Sequence, residues 1–456
     1  MSLFPFTIPL ISNPRRVAVD GSLHPDFLPV ATALTRQLQS HEGGSAVCIY
    51  HRGECVVDLW GGVKDRAGNP WVRDTMSPSL STTKGVACTL LHKLVDRGLL
   101  DYDDRVAQHW PEFGQAGKEA ITVRQVLAHQ SGLYHIRQMV DHADRMLDWD
   151  FMIRAIENAT PIHVPGERTG YHGLTFGFLI GEIVQRVTGK SFPQLVQEEI
   201  AEPLGLDGMY IGAPDEMHHR AAELIWSERG RWLQMIPIGP SMQQLSDIAE
   251  SVSPFLRAVM GMVGISIDLG SMLDALAPRG ITSFDFGSSE TLRAAIPGLN
   301  GIFTARSLAK MYAALAGGGE IGGVRLISRS TLDRATEVQT EAPSRAVLPF
   351  DMHWRLGYHS VFTTRGSPRR AFGHFGIGGS GAWADPSRQL AVAMTVNSGI
   401  GTPLGDMRMA RIGAAALVSA NRRATVPALR PNPAGGSRGE AAWSRPPNQW
   451  QRSPAS

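Results

Sequence analysis

Ser81 and Lys84 stand three residues apart and could act as a nucleophile and its base. The apolar residues that follow recur at the spacing of a helix with one buried face, so Ser81 is predicted at or just before a helix start. At this spacing the two side chains can meet, and the positive end of the helix dipole favours negative charge beside the serine. A lysine can activate a serine only if its pKa falls toward neutral pH.

The same spacing recurs at Ser307 and Lys310, which shows how weak the pair is alone. This second copy follows the expected helix N-cap Thr304 and is interpreted as solvated helix surface. A capping serine and a surface lysine would also explain Ser81 and Lys84. Other residues must therefore decide between a structural and a chemical role.

Tyr171 and a glycine-rich stretch are candidates for completing such a site. Tyr171 stands just before an amphipathic helix, where its phenol could share a proton with a lysine; packing of its ring in the core is the alternative. Residues 372–381 contain five glycines, which allow the backbone to approach a substrate closely. A strand edge there could donate one N–H to an oxyanion, and Ser81 could donate a second. Glycines that only turn a hairpin would look the same.

The elements that must position these residues are predicted from apolar patterning. Two β-prone runs at 45–50 and 55–60 predict a hairpin, and residues 354–397 return to β character after a series of helices. Strands at both ends around a helical middle predict an α+β protein with an antiparallel sheet that both ends of the chain complete. The Met-, Ile- and Leu-rich residues 218–297 predict a helical insertion or a lid over a pocket.

The predicted domain organisation is one catalytic domain and a tail. The domain covers residues 1–420, with a sheet part at about 30–80 and 300–420 and a helical part at about 81–299. Residues 421–456, rich in Pro, Arg, Ser and Gly, are predicted to be disordered.

Charge and composition exclude several classes of protein. The tail carries six arginines and one acidic residue, a charge of +5, so the net charge of +2 leaves −3 on residues 1–420 and no basic face for nucleic acid. Three irregularly spaced cysteines suit neither a disulfide framework nor a zinc site. Charged residues interrupt the most apolar stretch, 255–276, so no transmembrane segment is expected. No signal peptide is recognised, and a cytoplasmic location without metal or cofactor is expected, with export left open.

Three motifs occur in an order that resembles the serine β-lactamase-like superfamily, in particular class C β-lactamases and family VIII carboxylesterases. The motifs are Ser81-Thr82-Thr83-Lys84, Tyr171-His172-Gly173 and His374-Phe375-Gly376. Flanking stretches that are also similar to that family are Ile121 to Leu133, Pro203 to Leu206 and Gly301 to Arg306. The resemblance covers about residues 30–420, and its ordered motifs make it far more specific than a single Ser-X-X-Lys pair.

The resemblance implies a β-lactamase-like fold and a role for each motif. Ser81 would be the acylated nucleophile, and Lys84 with Tyr171 would form the general base and proton relay. The backbone N–H groups of Ser81 and Ile377 would form the oxyanion hole. The third motif implies that two further residues contact the substrate: His374 and Gly376.

Two departures from the class C pattern narrow the expected chemistry. Gly173 stands where those enzymes carry an asparagine, and His374 stands where the third motif usually begins with lysine. Both changes remove groups that hold the amide and carboxylate of a β-lactam. The main hypothesis is therefore a serine esterase for small to medium acyl esters. The alternatives are a β-lactamase or D-amino-acid peptidase, an acyltransferase, and a non-catalytic ligand-binding relative.

Overall fold

The computed structural model describes residues 4–5, 17–226, 269–339, 345–348, 351–399 and 406–425. The fold is α+β, as predicted, and is built around one eight-stranded antiparallel sheet. In spatial order its strands are Phe4–Pro5, Val19–Leu23, Glu54–Gly62, Gly44–His51, Leu390–Val396, Gly381–Asp385, Phe372–Phe375 and His359–Ser360.

The two ends of the chain meet in the middle of this sheet. The predicted hairpin forms between strands Gly44–His51 and Glu54–Gly62, and the first of these pairs with Leu390–Val396. Ser45 lies opposite Val396, and His51 lies opposite Leu390. The prediction that both termini complete one sheet is confirmed.

Alternating side chains of the central strands face two separate cores, as the two-residue period of a strand requires. Ala46 and Cys48 belong to the larger core, which includes the helix Ala305–Ala316 packed on that face. Val47 and Ile49 belong to a smaller core with the terminal helices Leu28–Ser40 and Arg408–Thr425. The sheet is therefore covered by helices on both faces.

Most other helices lie, in chain order, between the N-terminal and the C-terminal strands of the large sheet. They are Thr83–Asp96, Val106–His109, Val123–Leu127, Ile136–Met139, Trp149–Asn158, Thr175–Thr188, Phe192–Val196, Glu202–Leu204, Leu269–Leu276, Ser289–Arg293 and Arg329–Ala335. Short two-stranded and three-stranded sheets join the remaining strands, which are Ser77–Pro78, Thr169–Gly170, Met209–Tyr210, Ile225–Trp226, Ile302–Phe303, Glu320–Ile321, Val324–Arg325, Arg345–Ala346 and Ser398–Gly399. None of the helices in the described residues is long and apolar enough to cross a membrane.

Two predicted regions are described only in part. In the predicted insertion, residues 227–268 lie outside the described residues, while Leu269–Leu276 and Ser289–Arg293 are helical. The C-terminal helix continues to Thr425, beyond the predicted start of the tail at residue 421, and the rest of that tail lies outside the described residues.

The second serine and lysine pair differs from its prediction. Ser307 is not solvated but 1% exposed, and its hydroxyl accepts a hydrogen bond from the N–H of Gly208 (3.2 Å). Thr304 is the N-cap, as predicted, and accepts from the N–H of Ser307 (3.1 Å). Ser307 therefore has a structural role at the start of this helix.

Candidate active site

Ser81 lies in a tight turn that leads directly into a buried helix. The turn is a 3₁₀ helix, Leu80–Thr82, and the α-helix Thr83–Asp96 follows without a break. Leu80 has a φ of +46° although it is not glycine, and its side chain is buried. Such backbone strain costs about 1 to 3 kcal/mol and persists only where the surrounding structure holds it. The chain therefore stores strain one residue before the candidate nucleophile.

Lys84 is fully buried in the first turn of this helix, with its amine facing Ser81. Its Nζ lies 3.3 Å from Ser81 Oγ and donates to the backbone carbonyls of Gly173 (2.7 Å) and Gly298 (2.8 Å). The described residues place no carboxylate in an ion pair with this amine. Two carbonyls and one hydroxyl therefore surround it.

Burial lowers the pKa of Lys84 to about 7, because the low-dielectric interior penalises the charged ammonium. A neutral amine has two N–H bonds and one lone pair. The carbonyls of Gly173 and Gly298 can accept the two N–H bonds, which leaves the lone pair directed to the Ser81 hydroxyl. The geometry is that of a base poised to accept the serine proton.

Tyr171 lies beside this pair, with its ring centroid 5.2 Å from Lys84 Nζ. Burial raises the pKa of Tyr171, and a hydrogen bond with the Ser81 side chain opposes this only in part. The phenol therefore stays protonated at neutral pH. Its ring stacks on Trp354 with an interplanar angle of 8° and a centroid distance of 5.4 Å, which fixes the ring's orientation.

The glycine-rich stretch forms a strand and a turn that contact the nucleophile. The strand Phe372–Phe375 ends where the turn 376–379 begins, and the next strand starts at Gly381. A Cβ on Gly376 would lie 2.5 Å from the carbonyl oxygen of Ser79, so only glycine permits this approach. The turn therefore packs directly on the residues that precede Ser81.

Two backbone N–H groups remain available at this contact. In the described part of the chain, the N–H groups of Ser81 and Ile377 donate to no acceptor, whereas those of Gly376 and Gly379 are used within the turn. Ser81 and Ile377 are both partly exposed. The resemblance assigns these two N–H groups to an oxyanion hole, and that role stays a prediction.

His374 is 2% exposed and packs against Tyr171, Trp354 and His359. Burial holds its pKa well below the usual range, and His359 and Lys84 lower this pKa further whenever either is protonated. A neutral His374 brings no positive charge to the site. In this structure the buried ring of His374 packs against the ring of Tyr171. Direct contact between His374 and a substrate stays a prediction.

Three more buried histidines line the same region and are also neutral. Burial lowers the pKa of His359 to about 4 and that of His172 to about 3, and it lowers the pKa of His129 well below its usual value. His359 Nε2 accepts the N–H of Phe375 (3.0 Å), which anchors the strand that leads into the turn. Because these histidines are uncharged, none of them places a positive charge near the Lys84 amine.

The described residues contain no group of three or more His, Cys, Asp or Glu side chains that could hold a metal ion. The structure brings the sequence-predicted site residues together at one place: Ser81, Lys84, Tyr171, His374 and the Gly376 turn.

Sequence reasoning missed the groups that complete this arrangement. The carbonyl of Gly298 comes from a distant loop, and Trp354 comes from a segment that was predicted only as β-like. Leu80 carried no local signal of its strained backbone. Gly173 was noted for the side chain it lacks, yet its carbonyl holds Lys84. Only a three-dimensional structure could have identified these contacts.

Comparisons with known proteins show the family of this chain. The family model named Beta-lactamase matches residues 30–417. The esterase/β-lactamase LipL of Mycobacterium tuberculosis is 37% identical over 384 residues, which cover 83% of each chain. The family model and this relative both belong to the superfamily that the three motifs resemble.

Solved structures give the same result. A penicillin-binding protein homologue from Caulobacter crescentus superposes with a TM-score of 0.74 and 34% identity, covering 88% of this chain and 99% of that one. A family VIII carboxylesterase gives a TM-score of 0.72 and 33% identity with the same coverage. These relatives support a hydrolase on this fold, and the chain belongs to the β-lactamase family of serine β-lactamase-like proteins.

Proposed function

We propose that the protein is a serine carboxylesterase that forms an acyl-enzyme on Ser81 and transfers the acyl group to water. The observation that carries this proposal is the Lys84 amine, which is buried, forms no ion pair with any described carboxylate and lies 3.3 Å from Ser81 Oγ. A lysine with a pKa of about 7 is neutral often enough to act as a general base. The names of two relatives, the esterase/β-lactamase LipL and the esterase EstB of Burkholderia gladioli, support hydrolysis as the type of reaction.

The proposed reaction has two symmetrical halves. As Ser81 Oγ attacks the ester carbonyl, its proton moves to Lys84 Nζ, and the N–H groups of Ser81 and Ile377 stabilise the oxyanion. Tyr171, which keeps its proton because its pKa is raised, protonates the leaving alkoxide and is reprotonated from Lys84. A water molecule then replaces the alcohol and releases the acid by the same groups in reverse.

Two features of the site favour esters over β-lactams. No side chain is present at Gly173 to bind an amide, and His374 is neutral, so neither group holds the amide or the carboxylate of a β-lactam. Ester hydrolysis needs neither interaction. The substrate class we propose is therefore small to medium acyl esters without a required negative charge.

Replacing the nucleophile tests the proposal directly. Ser81→Ala should lower kcat/KM for p-nitrophenyl butyrate by at least about 1,000-fold, because the acyl-enzyme cannot form. The second serine and lysine pair supplies a matched control. Ser307→Ala should keep most of the activity, since Ser307 only contacts the N-cap Thr304 and the N–H of Gly208, away from the candidate site. Comparable activity in wild type and Ser81→Ala would refute the assignment.

The pH dependence of acylation tests the role of Lys84. Below the lysine pKa of about 7 the amine is mostly protonated and cannot accept a proton, so activity is lost as pH falls. We expect kcat/KM for the same ester to rise about tenfold per pH unit below that value and to level off above it. The measurement is a pH–rate profile from pH 5 to 9. A profile that is flat across this range would exclude Lys84 as the titrating base.

A comparison of substrates tests the preference for esters. We expect kcat/KM for a chromogenic cephalosporin to be at least about 100-fold below that for p-nitrophenyl butyrate, because no polar side chain binds the amide. Both substrates are measured with the same enzyme preparation, with Ser81→Ala as the blank. Equal turnover of both substrates would favour the β-lactamase alternative.

A further inference from the structure

Leu276 lies beside the candidate active site, although it is far from the three motifs in sequence. It is the last residue of the helix Leu269–Leu276 and follows Ala275, which is completely buried. Both residues pack in the apolar cluster that contains Tyr171 and Trp354. Leu276 is partly exposed, so it belongs to the surface of this cluster and not to its interior.

Gly173 shows how close Leu276 comes to the reacting groups. The carbonyl of Gly173 accepts the hydrogen bond from Lys84 Nζ at 2.7 Å. A Cβ on Gly173 would lie 2.2 Å from Leu276 Cδ2 and 3.0 Å from the carbonyl oxygen of Ala275. Two non-bonded carbon atoms do not approach to 2.2 Å in a folded protein. Leu276 therefore occupies the space into which a side chain at position 173 would project. The leucine therefore lies next to the peptide group that holds the base.

Two further apolar side chains lie at the margin of this cluster. Leu348 and Met352 are partly buried and pack on the same cluster as Leu276. An apolar acyl chain would gain from burial against such a surface. An amide that entered the same space would lose its hydrogen bonds to water and find no polar side chain among these three residues.

We propose that Leu276 determines which acyl groups reach Ser81. It accepts saturated, unsubstituted acyl chains, limits their length, and disfavours acyl groups that carry an amide beside the carbonyl. This inference rests on the proposed esterase function and assigns its specificity to one side chain. It also explains the absence of a side chain at position 173, since the leucine has taken that space.

A panel of p-nitrophenyl esters from acetate to decanoate tests the assignment. In Leu276→Ala, the ratio of kcat/KM for octanoate to that for butyrate should rise at least about tenfold over wild type, because truncation lengthens the acyl site. Leu276→Val removes less of the side chain and should disturb folding less than Leu276→Ala. It should shift the ratio in the same direction by a smaller amount. Leu273→Ala is the matched control: Leu273 lies on the same helix but packs in a separate cluster with Ala277. Its ratio should stay within about twofold of wild type.

A thermal double-mutant cycle tests the contact without any substrate. Gly173→Ala should lower Tm, and adding Leu276→Ala should restore part of the loss, because the overlap with Leu276 is then removed.

In the ester panel, an unchanged octanoate-to-butyrate ratio in both Leu276 variants, or an equal shift in Leu273→Ala, would overturn the assignment. Absence of ester turnover in wild type would instead contradict the proposed function, and the assignment of Leu276 would fail with it.

Discussion

The burial of one lysine amine, with no carboxylate paired to it among the described residues, is the constraint on which the rest of the site depends. Lys84 is completely enclosed, and its amine is held by two backbone carbonyls and the hydroxyl of Ser81. Carbonyl dipoles satisfy its N–H bonds without favouring the charged form as strongly as a carboxylate would. Burial of this amine costs folding free energy and keeps its pKa near neutral pH. A lysine on the surface would remain an ammonium and could not act as a base.

The surroundings of this amine preserve its neutrality. Four buried histidines, His129, His172, His359 and His374, lie near Tyr171, and burial keeps each of them uncharged. The apolar cluster that contains Leu276 and Trp354 packs on Tyr171. The backbone is equally constrained, because strained Leu80 and the turn at Gly376 press against each other. The lowered pKa of Lys84 and the raised pKa of Tyr171 both follow from burial in one tightly packed environment.

The sequence predicted the parts of the molecule that depend on local pattern or on ordered motifs. Alternating apolar residues predicted the hairpin, and the order of strands and helices predicted the α+β sheet that both termini complete. The three motifs predicted which residues would meet, and the structure brings them together. By contrast, Ser307 was predicted on the surface and is buried, because its spacing from Lys310 carries no information about the packing of Gly208 against its hydroxyl. The contacts of Gly298 and Leu276 join segments far apart in the chain, and no periodicity encodes such a contact.

The central claim is that Lys84 is a neutral amine near physiological pH, and NMR of protein labelled with ¹³C at the lysine ε-carbons measures this most directly. One signal, absent from the Lys84→Met variant, should titrate with a midpoint of about 7. The remaining assigned signals provide the internal reference within the same sample. A Lys84 signal that titrates near the ordinary lysine value of about 10.4 would contradict the account.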